Sequence, residues 1–155
     1  MSNFHAIPWQ LKYHSHLSKL NDKISIGKYS KQRREILSEN EKINYIEFPA
    51  KNIELTKAFF TEVFGWSFVD YGPEYTAFSD AGIDGGFFHS NLSTSTDTGG
   101  ALIVFLSMDL EQTQAKIEDA GGSIIKPIFS FPGGRRFHFT DPNDNEYAVW
   151  SNENA

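Results

Sequence analysis

The stretch Phe129–Trp150, FSFPGGRRFHFTDPNDNEYAVW, decides how this chain is to be read. Phe129, Phe131, Phe137 and Phe139 alternate with Ser130, His138 and Thr140. That period of two predicts strands, and Pro132-Gly133-Gly134 between the runs is hairpin chemistry. Asp141-Pro142-Asn143 then makes a turn before the closing strand NEYAVWS. Upstream, SIIKPIFSF is the strand that enters the hairpin. Before it, Asp109 caps a helix, LEQTQAKIEDA, with Gln112 three residues on in a capping-box arrangement. Gly121-Gly122 stops that helix, and ALIVFLS in front of it is another strand. The C-terminal half therefore reads strand, helix, strand, strand, strand.

The preceding half has the same order. INYIEFPA alternates as a strand, and Asn52 caps the helix IELTKAFFTEVF. Leu55, Phe59 and Val63, with Phe60 and Phe64 beside them, give it a broad apolar face. Gly65 ends it, where left-handed dihedrals are wanted. Three short strands follow, WSFVDY, EYTAFSD and IDGGFFHS, separated by Gly72-Pro73 and Ala81-Gly82. The polar loop Asn91–Gly100 joins the halves. The repeat is visible residue by residue. At an offset of 57, Asn52 falls on Asp109, Glu54 on Glu111, Ala58 on Ala115 and Gly65 on Gly122. At an offset of 61, Ser79-Asp80 falls on Thr140-Asp141, Tyr75 on Arg136 and Phe87 on Ala148. The expected fold is α+β: two tandem βαβββ modules forming a curved mixed sheet around a concavity, with a helix covering one face of each module.

The totals bound the alternatives. A chain of 155 residues is one domain with an appendage. It contains no Cys, which excludes disulfides, zinc-thiolate sites and cysteine nucleophiles. No apolar run reaches the ~18 residues that a membrane span needs, and the N-terminus lacks an apolar signal region. The expected location is cytoplasmic. Met1–Lys42 carries eight basic against four acidic residues, so with a net charge of −6 for the whole chain Ile43–Ala155 holds −10. A domain of that charge repels nucleic acid. Residues 1–42 read as a basic N-terminal extension, in which Ser30 caps a short helix over KQRREILSEN. His14 and His16 lie within it without other metal ligands nearby. Aromatics make up 15% of the chain, which predicts either a Phe-rich core or an aromatic-lined ligand cavity.

With its doubled order and the ending FHFTDPNDNEYAVW, the chain from Ile43 to Asn152 resembles the vicinal oxygen chelate superfamily of glyoxalases, bleomycin-resistance proteins and extradiol dioxygenases. The resemblance implies one divalent metal, held by His, Glu or Gln from equivalent points in the first and last strands of each half. Such a site needs convergent N or O donors. By the internal repeat those points fall at Tyr45, Phe87, Leu102 and Ala148, and only Tyr45 carries a polar side chain. A slip of one residue reaches Ile46, Phe88, Ile103 and Val149, which are apolar too. The expectation is a protein with no metal and no cofactor.

Strand alternation places the other candidates. Glu47 lies beside Tyr45, His89 follows Phe87, and Glu146 and Trp150 flank Ala148, with Leu102 and Val104 as apolar wall. Each also has a purely structural reading: Glu47 at a solvent-exposed strand end, His89 exposed, Glu146 capping the turn, Trp150 in the core. Arg135 and Arg136 point to opposite faces. One of the two is expected to grip a carboxylate or phosphate through its planar fork, with Arg136 among the candidate ligand contacts, unless both pair with the acidic surface. His138 shares the face of Arg136 and, beside Glu47 or Glu146, would form an acid–base pair. No nucleophile elbow, phosphate-binding glycine loop or dinucleotide fingerprint is present. The expected function is a small-molecule-binding protein without the usual metal ligands, and the resemblance implies a homodimer. The alternative is a metal-dependent lyase, isomerase or dioxygenase, or a metal-free enzyme with Glu47 or His138 as base.

Overall fold

The structure, a computed structural model, describes residues 40–152. The expectations for the basic extension, its helix and its two histidines lie outside these residues. The residues from Tyr45 onward form one compact unit.

The element order is β1 (Tyr45–Ala50), α1 (Ile53–Phe64), β2 (Ser67–Asp70), β3 (Tyr75–Ser79), β4 (Asp84–His89), a single 3-10 turn (Thr96–Thr98), β5 (Ile103–Leu106), α2 (Leu110–Asp119), β6 (Ser123–Phe131), β7 (Gly134–Thr140) and β8 (Glu146–Asn152). Both helices start where the sequence places their caps. Asn52 Oδ1 accepts from the Leu55 N–H at 3.0 Å, and Asp109 Oδ1 from the Gln112 N–H at 2.9 Å. Gly65 closes α1 at φ 72°, a left-handed conformation that glycine adopts without steric cost.

The strands form two four-stranded sheets, ordered β1-β4-β3-β2 and β5-β8-β7-β6. In each, the first pair is parallel and the others antiparallel. These are the two βαβββ modules of an α+β fold.

One core serves both sheets. Phe48, Phe78 and Phe87 enter it from the first sheet, and Phe137, Phe139, Tyr147 and Val149 from the second. Phe60 of α1 lies 5.4 Å from Phe87 and 5.6 Å from Tyr147, while its neighbour Phe59 lies 6.2 Å from Phe139. Helix α1 thus packs against both sheets, and α2 adds Leu110 and Ile117. Most of the aromatic excess is spent here; each buried ring stabilises the fold by about 2 kcal/mol. The other face of each sheet points away from this core.

The Asp141–Asn145 turn fastens the modules together. Asn143 Oδ1 accepts from the Asn52 N–H at 2.7 Å, and its Nδ2 donates to Thr56 Oγ1 at 2.7 Å. Asn145 Nδ2 donates to the Pro49 carbonyl at 2.9 Å. Asp141 holds the turn itself by accepting from the N–H groups of Asn143 and Asn145. Burial raises the Asp141 carboxyl to about 6 in spite of those bonds.

The ladder registers correct one expectation. Ala77 pairs with Gly86 in the first sheet, and His138, its counterpart, pairs with Ala148 in the second. The counterpart of Ala148 is therefore Gly86, not Phe87. The cause is the turn before the closing strand: residues 141–145 span one position more than residues 80–83. A one-residue slip moves a strand side chain to the other face. Phe87 accordingly lies on the core face, wholly buried beside Phe48.

Candidate functional site

Residues paired across a ladder share a face of the sheet. On the outward face of the second sheet, Trp150, Arg136 and Phe129 form one row, and Ala148, His138 and Lys126 the next. Glu146 follows, opposite Thr140. Two of these groups make a buried pair. His138 Nδ1 lies 2.9 Å from Glu146 Oε1, with the side chains only 3% and 4% exposed.

The second carboxylate oxygen of Glu146 is satisfied from the loop between the modules. It accepts from Thr96 N–H at 2.6 Å and from the Thr96 hydroxyl at 2.8 Å. Burial by itself raises this carboxyl. The hydrogen bonds from His138 and from Thr96 outweigh burial and hold it at about 2. Glu146 is thus a carboxylate, which can only accept, so Nδ1 of His138 carries the shared proton. Nε2 is buried and has no hydrogen-bond partner.

A second orphan lies two residues away on β7. The Arg136 guanidinium sits 5.1 Å from the centre of the Phe129 ring and 5.3 Å from that of Phe131. Both rings attract the cation through their negative faces. Its Nε is buried without a partner. Phe129 also lies 6.0 Å from the His138 ring. Arg135, on the other face, donates to Glu111 Oε1 at 2.7 Å, a structural role.

The outward face of the first sheet holds a different cluster. The Tyr75 hydroxyl donates to Glu47 Oε1 at 2.7 Å and lies 2.9 Å from the Tyr45 hydroxyl. Tyr75 reaches them by lying across Gly86, where an added Cβ would stand 2.0 Å from its oxygen. Burial, then the bonds to Tyr45 and Glu47, raise the Tyr75 phenol well above its ordinary value, so it stays neutral.

The structure thus groups Arg136, His138, Glu146, Ala148 and Trp150 on one face, and Tyr45 with Glu47 on the other sheet. Leu102 stands just before β5, where alternation with Val104 directs it outward. Phe87 is a core residue. His89 is exposed at the end of β4, its Nδ1 3.3 Å from Glu74, apart from both clusters. Of the two acid–base pairs considered, His138 with Glu146 is the one formed. Sequence reasoning missed Thr96, which sits in a loop of small polar residues without a pattern. It also missed the bonds of Tyr75, whose only signal was its alignment with Arg136 in the repeat.

With the register corrected, the four points at which the resemblance implies a metal read Tyr45, Gly86, Leu102 and Ala148. Only Tyr45 bears a donor, and the space over Gly86 is filled by Tyr75. This donor set does not fit a divalent metal, which needs three or four N or O ligands. Among the described residues, no group of three or more His, Asp or Glu side chains is placed to hold one.

The family model described as Glyoxalase/Bleomycin resistance protein/Dioxygenase superfamily matches residues 42–149. No curated protein matches the chain. Solved structures with the same fold include a glyoxalase-related enzyme from Fulvimarina pelagi, with a TM-score of 0.61 at 18% identity, covering 72% of this chain and 88% of that one. The fosfomycin resistance protein FosX from Listeria monocytogenes has a TM-score of 0.60 at 18% identity, covering 72% and 93%. A lactoylglutathione lyase from Agrobacterium tumefaciens has a TM-score of 0.55 at 18% identity, covering 72% and 93%. Likeness at these identities is likeness of fold.

Proposed function

Because the chain belongs to the glyoxalase/bleomycin resistance protein/dioxygenase superfamily, we propose that it is a member that binds a small, partly aromatic or apolar molecule without the metal. The observation that carries this reading is the pairing of two features. The four metal-holding points offer no usable donor set. The second sheet nevertheless keeps polar atoms, His138 Nε2 and Arg136 Nε, buried and unpartnered beside Phe129 and Phe131. Buried polar atoms cost stability unless they are satisfied, so their retention points to a ligand that satisfies them.

A mutant of FosX from Listeria monocytogenes has been seen with Mn(II) and 1S,2S-dihydroxypropylphosphonic acid. For the present chain the proposal keeps the binding and drops the metal. The working assembly is a homodimer: Val104 and Leu106, at 44% and 64% exposure on the outward side of β5, gain cover from a second copy. The working location is the cytoplasm; no described helix is long and apolar enough to cross a membrane.

Thermal unfolding against a panel of small aromatic and apolar compounds, with and without chelator, tests the reading. The expected result is a rise in Tm that persists in chelator and shrinks in Trp150→Ala. Stabilisation seen only after a divalent metal is added would contradict it.

One observation favours a second, enzymatic reading. The His138–Glu146 pair, with its outer nitrogen free, is built as a general base. Turnover of a carbonyl compound that is lost in His138→Gln, with ligand affinity retained, would establish it.

A further inference from the structure

Resting on the small-molecule-binding reading, we infer the class of ligand: an arene that carries an oxyanion, its negative head on the guanidinium of Arg136 and its ring against Trp150 and Phe129. The two neighbouring arginines of β7 behave differently. Arg135 is committed to Glu111, donating to Oε1 at 2.7 Å. Arg136, on the outward face, has no carboxylate partner among the described residues. Two rings hold it instead, with the guanidinium carbon 5.1 Å from the centre of Phe129 and 5.3 Å from that of Phe131. The rings attract its charge but leave its planar fork of N–H donors without an acceptor. Arg136 is half-buried, so part of it meets solvent, and only Nε of its nitrogens is a buried atom without a partner. The head group is therefore assigned to the Nη end of the fork, and it needs no entry to the buried nitrogens.

The charges on the outward face set the sign of the head group. Arg136 and Lys126 are cations in adjoining rows. Glu146 is the carboxylate of the same face, and both its oxygens are already engaged, one with His138 Nδ1 and the other with Thr96. It is not available to neutralise Arg136. His138 adds positive charge when protonated and none when neutral, so the preference for an anion holds in either state. An ammonium ligand is repelled by Arg136 and Lys126, and a neutral amide or alcohol forgoes the charge. A carboxylate or a phosphonate accepts two parallel N–H bonds from one guanidinium, each roughly twice as strong as a bond between neutral groups. Those two heads share the chemistry required here.

The aromatic body follows from the ladder. Trp150 pairs with Arg136 from β8 and Phe129 pairs with it from β6, so the three form one row across the sheet. Trp150 is half-buried and Phe129 is 36% exposed, so both offer ring surface beside the charge. A ligand with its acidic group on Arg136 has an aromatic neighbour on either side.

Isothermal titration calorimetry of the full chain at pH 7 and low salt tests the inference, with 2-naphthoate, 2-naphthylphosphonate and the uncharged 2-naphthamide as probes. The expected result is that at least one of the two acids binds at least about tenfold more tightly than the amide. The tighter of the two identifies the head group. Arg136→Met, which keeps an unbranched chain between the rings, should erase that margin while the amide binds as before. Arg135→Met, on the other face, should keep it. Should Arg136→Met not fold, Lys126→Met, at an exposed position, should narrow the margin without changing amide binding. A margin that survives Arg136→Met would overturn the site. Equal binding of acids and amide would overturn the ligand class and leave the binding reading standing. Binding of none of the three, together with a silent thermal panel, would overturn both.

Discussion

His138 Nδ1 stands 2.9 Å from Glu146 Oε1, on neighbouring antiparallel strands and almost wholly out of water. Removing one member leaves the other buried without its partner, which costs more than the pair contributes. Glu146→Leu also strands the Thr96 N–H. It should lower unfolding stability by about 3 kcal/mol. The double change His138→Phe with Glu146→Leu should recover the part of that loss that comes from leaving His138 unpaired, while the stranded Thr96 N–H remains. Urea denaturation of the four proteins in the cycle gives the answer, and additive losses would show that the two groups do not act as a pair.

Two buried carboxyls respond to pH in opposite directions. Glu146 sits at about 2 against an ordinary 4.5, so its contribution is full above pH 4.5 and is lost as pH falls through about 2. Asp141 sits at about 6 against an ordinary 3.8, so its contribution is full below pH 3.8 and is lost as pH rises through about 6. That second change amounts to at most about 3 kcal/mol. Asp141→Asn should be less stable at every pH, since its amide meets the Asn145 amide as donor to donor. Its stability profile between pH 4 and 6 should nevertheless be flatter than that of the wild type. An unchanged slope would remove Asp141 as its source.

The Tyr147 hydroxyl is fully buried in the aromatic core and has no hydrogen-bond partner. Burial raises its phenol well above the ordinary value. Removing an unsatisfied buried hydroxyl while keeping the ring should help the fold. Tyr147→Phe is expected to gain about 1 kcal/mol in denaturant unfolding. A loss of similar size would mean that the hydroxyl makes an interaction the structure does not show.

Gly86 gives Tyr75 its path to Glu47. Gly86→Ala puts a methyl 2.0 Å from the Tyr75 oxygen and should cost about 2 kcal/mol by overpacking. Tyr75→Ala combined with Gly86→Ala should restore part of it, because the methyl then has room. If Gly86→Ala is neutral by itself, Tyr75 does not lie across that position.

The element order was legible in the residues, and the reason is local. Helix caps at Asn52 and Asp109, a left-handed glycine at Gly65 and alternation along Phe137–Phe139 act over a few positions, and each appears in the structure where the sequence places it. The face of β4 was not legible. A repeat offset of 61 holds for β7, but the longer turn at residues 141–145 makes it 62 for β8, and a strand turns over with every residue. Phe87 was therefore read outward when it faces the core. The buried pair was visible only as one of two options for His138, because hydrogen-bond reach between strands depends on register. Thr96 shows the limit most plainly: nothing in NLSTSTDTGG marks which hydroxyl will cap a carboxylate 50 positions away.

The central claim is that this chain binds its ligand without the metal. Elemental analysis of the full chain, purified without chelator and measured by plasma mass spectrometry, tests it most directly. The expected result is divalent metal far below one ion per chain, unchanged by replacing Glu47 or Glu146. One divalent ion per chain, lost on replacing either residue, would contradict it.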